Sequence, residues 1–168
     1  LESRTVDKDG NTISVVLYYE RYDFRATIKV TGKDKGVTMA VYLDKPVPAE
    51  LVGKAGMNIE FFPATYFGKT YMMDGKYDIL PKHPAGNTEM RPLEEKVVQI
   101  YGEGYSYSTF DDRGRDEFLV SHPIATGKTL VMAPEDKDIR VTFKSDSDIN
   151  LYDGRNLSSN GTFVVRSF

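Results

Sequence analysis

Apolar and polar residues alternate with a period of two along most of this chain, and that pattern constrains the fold more than any other feature. Phe24, Ala26, Ile28 and Val30 are separated by Arg25, Thr27 and Lys29. Successive side chains of a strand point to opposite faces, so this segment predicts a strand with one apolar and one wet face. Val37, Met39, Val41 and Leu43 repeat the pattern, as do Met57, Ile59 and Phe61, and then Ile139, Val141 and Phe143. Helical periodicity is nearly absent, which points to an all-β fold.

Turn chemistry sets the order of these strands. The β-branched and aromatic run Ile13 to Glu20 pairs with the Phe24 strand through Arg21-Tyr22-Asp23, giving an early hairpin. Val97 to Tyr101, Thr129 to Met132, Ile149 to Tyr152 and Thr162 to Arg166 bring the set to about nine or ten short strands. Ser145-Asp146-Ser147-Asp148 reads as a turn between the Ile139 and Ile149 strands, and Asp153-Gly154-Arg155-Asn156 leads into the last strand, so the C-terminal third reads as a meander. The predicted class is an antiparallel β-sandwich, jelly-roll or immunoglobulin-like, with long loops; a closed barrel is the lesser alternative. The alternation marks no internal boundary, so residues 1–168 are expected to form a single domain.

Composition narrows the function classes. With 22 basic and 25 acidic side chains the net charge is -3, so there is no broad basic field to hold a polyanion and nucleic acid is not an expected partner. The chain has no Cys, which removes disulfides, thiolate metal sites and cysteine nucleophiles and leaves the redox compartment open. No apolar stretch approaches the roughly 18 residues of a membrane-spanning helix, and the first residues do not read as a signal peptide. A first residue other than Met and a last segment that reads as a strand without a polar tail predict a piece of a longer protein.

Two segments break the alternation and become the candidate surfaces. Gly68 to Lys96 is crowded with Gly, Pro and Lys and reads as a long connection carrying Tyr71, Met72, Met73 and Tyr77, apolar side chains that a neighbouring domain could cover. Gly102 to Glu117 mixes aromatic rings with both signs of charge. Tyr105, Tyr107, Phe110, Asp112 and Arg113 have the chemistry of a carbohydrate site, in which rings stack on sugar C–H faces while charged groups bind hydroxyls. The competing reading is that Tyr105 and Tyr107, two residues apart on a strand, simply pack in the core.

Several motifs weigh less than they first suggest. Gly68-Lys69-Thr70 and Gly127-Lys128-Thr129 look like the end of a phosphate-binding loop, but Pro63 and His122 stand where its first glycine is required, so both read as turns. Asp7-Lys8-Asp9-Gly10-Asn11 resembles a calcium loop, yet Gly10 comes two positions early and Tyr18 replaces the bidentate Glu. An Asp-Gly turn is the expected role. Asp111, Asp112, Asp116 and Glu117 offer hard oxygen ligands, with Arg113 and Arg115 placed to neutralise them, so ion pairing ranks above calcium. His83 and His122 lie far apart, each before a proline, and read as loop residues. Asn156 and Asn160 head glycosylation-type tripeptides for which turn formation is the simpler role. No Gly-x-Ser-x-Gly nucleophile elbow occurs, and no metal, cofactor or catalytic residue is assigned.

A family resemblance adds to this reading. Gly36 to Pro48, Gly53 to Asp74, Leu130-Val131-Met132-Ala133-Pro134-Glu135-Asp136, Leu151 to Asn156 and Asn160 to Ser167 together resemble the N-terminal β-sandwich accessory domain of secreted Bacteroidetes glycoside hydrolases, particularly family-nine cellulase-like proteins. The resemblance covers about half the chain. It implies a non-catalytic module ahead of an α-helical catalytic barrel, in the periplasm or on the outer surface, acting on polysaccharide as a carbohydrate-binding or docking domain. No catalytic residue carries over. The alternatives are a purely structural interdomain scaffold and, behind it, a jelly-roll glycosidase or lyase.

Overall fold

The structure, a computed structural model, describes residues 1–52, 55–84, 88–92, 105–108, 117–155 and 161–167. The chain is all-β and antiparallel, consistent with the β-sandwich class that the alternation predicts. Its backbone divides into two compact units, Leu1–Val52 and Gly53–Phe168.

The first unit is a four-stranded antiparallel sheet of β1 (Ser3–Val6), β2 (Thr12–Tyr19), β3 (Phe24–Lys33) and β4 (Gly36–Leu43), hydrogen-bonded in that order. The early hairpin forms as read: Tyr19 pairs with Phe24 across a single 3-10 turn, Glu20–Tyr22, closed by Asp23 in the left-handed region. Register places Leu17, Ala26 and Leu43 in one row and Val15, Ile28 and Val41 in the next, so the apolar residues of three strands share a face. The other face carries Tyr18 opposite Arg25, and Thr12 opposite Thr31 with their hydroxyls 3.3 Å apart. Among the apolar side chains of this unit, only Phe24 and Ala26 are buried.

The second unit holds β5 (Met57–Phe61), β6 (Thr70–Met73), β7 (Lys76–Ile79), β8 (Thr88–Pro92), β9 (Tyr105–Ser108), β10 (Glu117–Ser121), β11 (Ala125–Met132), β12 (Val141–Asp153) and β13 (Phe163–Ser167). Six of these form a sheet in the order β5-β13-β12-β11-β6-β7, and three form a second in the order β8-β10-β9. β11, β12 and β13 are neighbours in sequence and in space and form a meander, but not through the strands expected on either side of Ser145 to Asp148, which are one strand. The core lies on the six-stranded sheet, where Leu80, Leu130, Met132, Leu151 and Phe163 are fully buried. Phe61 packs edge-on against both Tyr66 and Phe143, at ring-centroid distances of 5.3 and 5.8 Å. Tyr66 comes from a short helix, Pro63–Tyr66, which Pro63 starts with its fixed φ, and its hydroxyl donates to the Ile139 carbonyl at 3.0 Å.

Two expectations are corrected. Ser145 to Asp148 is not a reverse turn: β12 runs unbroken for 13 residues, and these four stand opposite the single Lys128 of β11 where the register slips between Gly127 and Thr129. Below the slip Gly127 faces Ile149, and above it Thr129 faces Lys144. The buried side of β11 accordingly switches from Gly127 to Leu130 and Met132, whereas β12 keeps Ile149 and Leu151 inward. Short polar side chains suit a solvated bulge as well as a turn, which is why the segment misleads. Gly68 to Lys96 is likewise not a plain connection, because its described part contains β6, β7 and β8. The described residues thus hold thirteen strands against the nine or ten expected. The expected strand Val97 to Tyr101 lies outside them.

Candidate functional site

The β6–β7 hairpin builds the candidate site. Its loop is Asp74-Gly75, both with positive φ (47° and 83°), the left-handed pair that a two-residue hairpin needs and that Asp-Gly supplies at low cost. The turn then reaches across to β11. The Asp74 carboxylate accepts the amide of Thr129 at 2.8 Å and that of Lys128 at 3.1 Å, and the Asp74 amide donates to the Thr129 carbonyl at 2.8 Å. The amides of Lys128 and Thr129 sit at the register slip, and Asp74 gives both a partner. Gly127 is required here because a Cβ at that position would collide with Asp74. The loop that imitates a phosphate-binding sequence therefore does bind an anion through its amides, and that anion is the protein's own carboxylate. Gly68-Lys69-Thr70 serves as a turn: Gly68 donates its amide to the Leu80 carbonyl, the Leu80 amide donates to the Lys69 carbonyl, both at 2.8 Å, and the Lys69 ammonium pairs with Asp136 at 3.1 Å.

Beside this junction lies an open groove of about 440 Å³, lined by Tyr71, Lys76, Tyr77, Asp78 and Thr126 together with the Asp74 turn. Tyr71 and Asp78 are directly opposite in the hairpin, and the Tyr71 hydroxyl donates to Asp78 Oδ2 at 3.4 Å. Burial, reinforced by the Asp78 charge, pushes the Tyr71 hydroxyl up to about 12, so it remains a donor at any ordinary pH. Asp78 Oδ1 also accepts the Ile79 amide at 2.7 Å, and Thr126 donates its hydroxyl to Asn150 at 2.7 Å. Tyr77 is 66% exposed on the outermost strand. The groove lining thus combines two tyrosines, a cation and an oriented carboxylate, with Lys76 and Asp78 on the Tyr71 face of the hairpin and Tyr77 at its edge opposite Met72.

The four residues expected to meet a neighbouring domain divide between two faces. Tyr71 and Met73 are buried in the core, Met72 is half-buried, and Tyr77 is exposed opposite Met72. Of the expected carbohydrate residues, Tyr105 and Tyr107 lie on β9 at the edge of the three-stranded sheet, with Tyr107 opposite Leu119. Phe110, Asp112 and Arg113, and the Asp111 to Glu117 loop apart from Glu117 itself, lie outside the described residues. Sequence reading missed Asp74, Lys76, Asp78 and Thr126. The Asp74-Gly75 dipeptide was the available signal for the hairpin; the approach of Thr126 from 50 residues downstream leaves no local trace.

Two other polar clusters are structural in character. Asp153, fully buried, pairs with Arg155 through both oxygens at 2.8 and 2.7 Å, while Arg155 also donates to the carbonyls of Pro81 and Lys82 and stacks over the Phe163 ring at 4.7 Å. This ties the β12–β13 connection to the chain leaving β7. In the first unit Arg25 lies 4.2 Å above the Tyr18 ring and pairs with Glu2 at 2.9 Å, and the Asp7 turn closes as an Asp-Gly turn through Asp7 Oδ1 and the Asn11 amide. Among the described residues no group of three His, Asp or Glu side chains converges as a metal site, and no helix is long and apolar enough to cross a membrane.

The fold and the groove define an all-β, antiparallel protein with an open polar-aromatic surface. No protein-family model, curated protein or solved structure matches the chain.

Proposed function

We propose that this chain is a non-catalytic accessory module of a secreted, periplasmic or outer-surface polysaccharide-degrading protein, and that it binds carbohydrate and docks a neighbouring catalytic domain. The observation that supports the binding role is the β6–β7 groove, where exposed Tyr77 borders Lys76, Asp78 and Thr126. A neutral glycan suits this chemistry: a ring face for C–H groups and a carboxylate with a cation for hydroxyls. Balanced overall charge agrees with a neutral ligand. Glycan-array screening followed by calorimetry tests the reading. Binding to at least one polysaccharide, weakened about tenfold or more by Tyr77→Ala, is expected for a stacking contact and its neighbours. Absence of binding to every plant and host glycan tried would end the carbohydrate reading.

The scaffold reading draws on a different fact. Tyr77 and Ile79, alternate residues of the outermost strand, are both more than half exposed and would suit a protein neighbour. Protection of the β7 amides from exchange by the full-length parent protein, without any glycan, would favour it.

A further inference from the structure

Among the described residues, the four outermost strands of the two larger sheets are β1, β4, β5 and β7. An open strand edge presents unpaired backbone donors and acceptors, and proteins usually guard it with shortness or charge. β1 is four residues long and carries Arg4, β5 carries Glu60, and β7 is four residues long and carries Lys76 and Asp78. β4, Gly-Val-Thr-Met-Ala-Val-Tyr-Leu, is eight residues long with no charge and no proline. Its odd-numbered residues, Val37, Met39, Val41 and Leu43, form one apolar row and are 38–59% exposed.

The backbone of that row also points outward. Asp44 donates its amide to the Arg25 carbonyl at 3.2 Å, so the even-numbered positions of β4 bond to β3, and the alternation of an antiparallel ladder turns the N–H and C=O groups of the odd-numbered positions to the open edge. A strand added there must carry apolar residues in the same alternate positions. β4 meets that requirement itself. Laid antiparallel about a two-fold axis at Ala40, Met39 faces Val41 of the second copy, Val37 faces Leu43 of the second copy, and Thr38 faces Tyr42 of the second copy. The apolar row meets the apolar row, the outward backbone groups meet each other, and no charged residue falls within the paired segment.

We propose that β4 is a homodimerisation edge: two copies of this chain join their four-stranded sheets through antiparallel β4 pairing into one eight-stranded sheet. The two-fold closes the assembly, because β4 is used up and the remaining edges are the short, Arg4-bearing β1 strands. A strand pair alone buries less than a standard interface, so the dimer is weak and concentration-dependent.

Ala40 would sit on the axis in a pair not joined by hydrogen bonds, where Cα atoms are roughly 4.5 Å apart, within disulfide reach. The chain has no Cys, so a single Ala40→Cys substitution reports the geometry directly. Under mild oxidation Ala40→Cys is expected to form a disulfide dimer about tenfold faster than Lys8→Cys, placed in the β1–β2 turn, because pairing raises the local thiol concentration. Sedimentation velocity of the unmodified chain should show a monomer–dimer equilibrium that Val41→Lys and Met39→Pro both abolish. Met39→Pro removes an outward N–H and leaves the even-numbered bonds to β3 in place. Equal oxidation rates at the two cysteines, or a monomer at every concentration, would overturn the proposal. So would β4 amides that gain protection only when another macromolecule is added, an outcome that assigns the edge to a different occupant.

Discussion

The two largest sheets differ in pattern and in burial: β3 and β4 of the first alternate cleanly, whereas β6, β11 and β13 of the second carry consecutive apolar residues. In the first, the rows Leu17–Ala26–Leu43 and Val15–Ile28–Val41 are in register, yet among the apolar side chains of the unit only Phe24 and Ala26 are buried. In the second, Leu130, Met132, Leu151 and Phe163 lose all contact with solvent. A period of two reports only that a strand has two unlike faces. Whether the apolar face is covered is decided by residues far away in sequence.

The contrast predicts unequal responses to the same truncation. Leu130→Ala removes a fully buried side chain beside Met73 and should cost about 2–5 kcal/mol, whereas Val41→Ala on the half-open β4 row should stay within about 1 kcal/mol. Urea titration of each variant measures both. Equal losses would mean that β4 is as well packed as the core. A second contrast lies between ion pairs. Arg155→Ala removes the guanidinium hydrogen bonds from both oxygens of the buried Asp153 and should cost more than about 1 kcal/mol, read by the same titration.

The smallest effect concerns acid. Arg25 beside Glu2 holds that carboxyl below the usual range, and Lys45 with the Tyr18 hydroxyl does the same for Asp23. A depressed carboxyl stabilises the fold fully above its unfolded value and loses that contribution as pH falls through the folded one. Protection of the first-sheet amides, taken relative to their intrinsic exchange rates, should therefore fall below about pH 5 as these carboxyls protonate. Arg25→Met should flatten that dependence. Protection of these amides that does not change in acid would show that the two surface pairs add nothing to the first sheet.

Much of the strand content was legible because it rests on local sequence pattern: β2, β3, β4, β5 and β13 fall where Ile13, Phe24, Val37, Met57 and Thr162 begin their runs. The β6–β7 hairpin was not, since four-residue strands give too few periods to stand out among Gly and Lys, even though Asp74-Gly75 marks the turn as clearly as Asp9-Gly10 marks another. Tyr71, Met72 and Met73 read as one apolar patch because composition ignores that neighbours on a strand face opposite ways. The partnership of Asp74 with Gly127, Lys128 and Thr129 depends on which strands become neighbours, which no local window contains.

The register slip in β12 sets a parity rule for the chain. Four residues, Ser145 to Asp148, stand between the pairings of Lys144 with Thr129 and of Ile149 with Gly127. Removing two of them would shorten the bulge and leave Ile149 and Leu151 pointing inward. Removing one would turn Asn150 to the core and Leu151 to water, and the fault would pass on to β13 through its pairing with β12. At this point in the sheet, whether an insertion or deletion is odd or even matters more than which residues it contains.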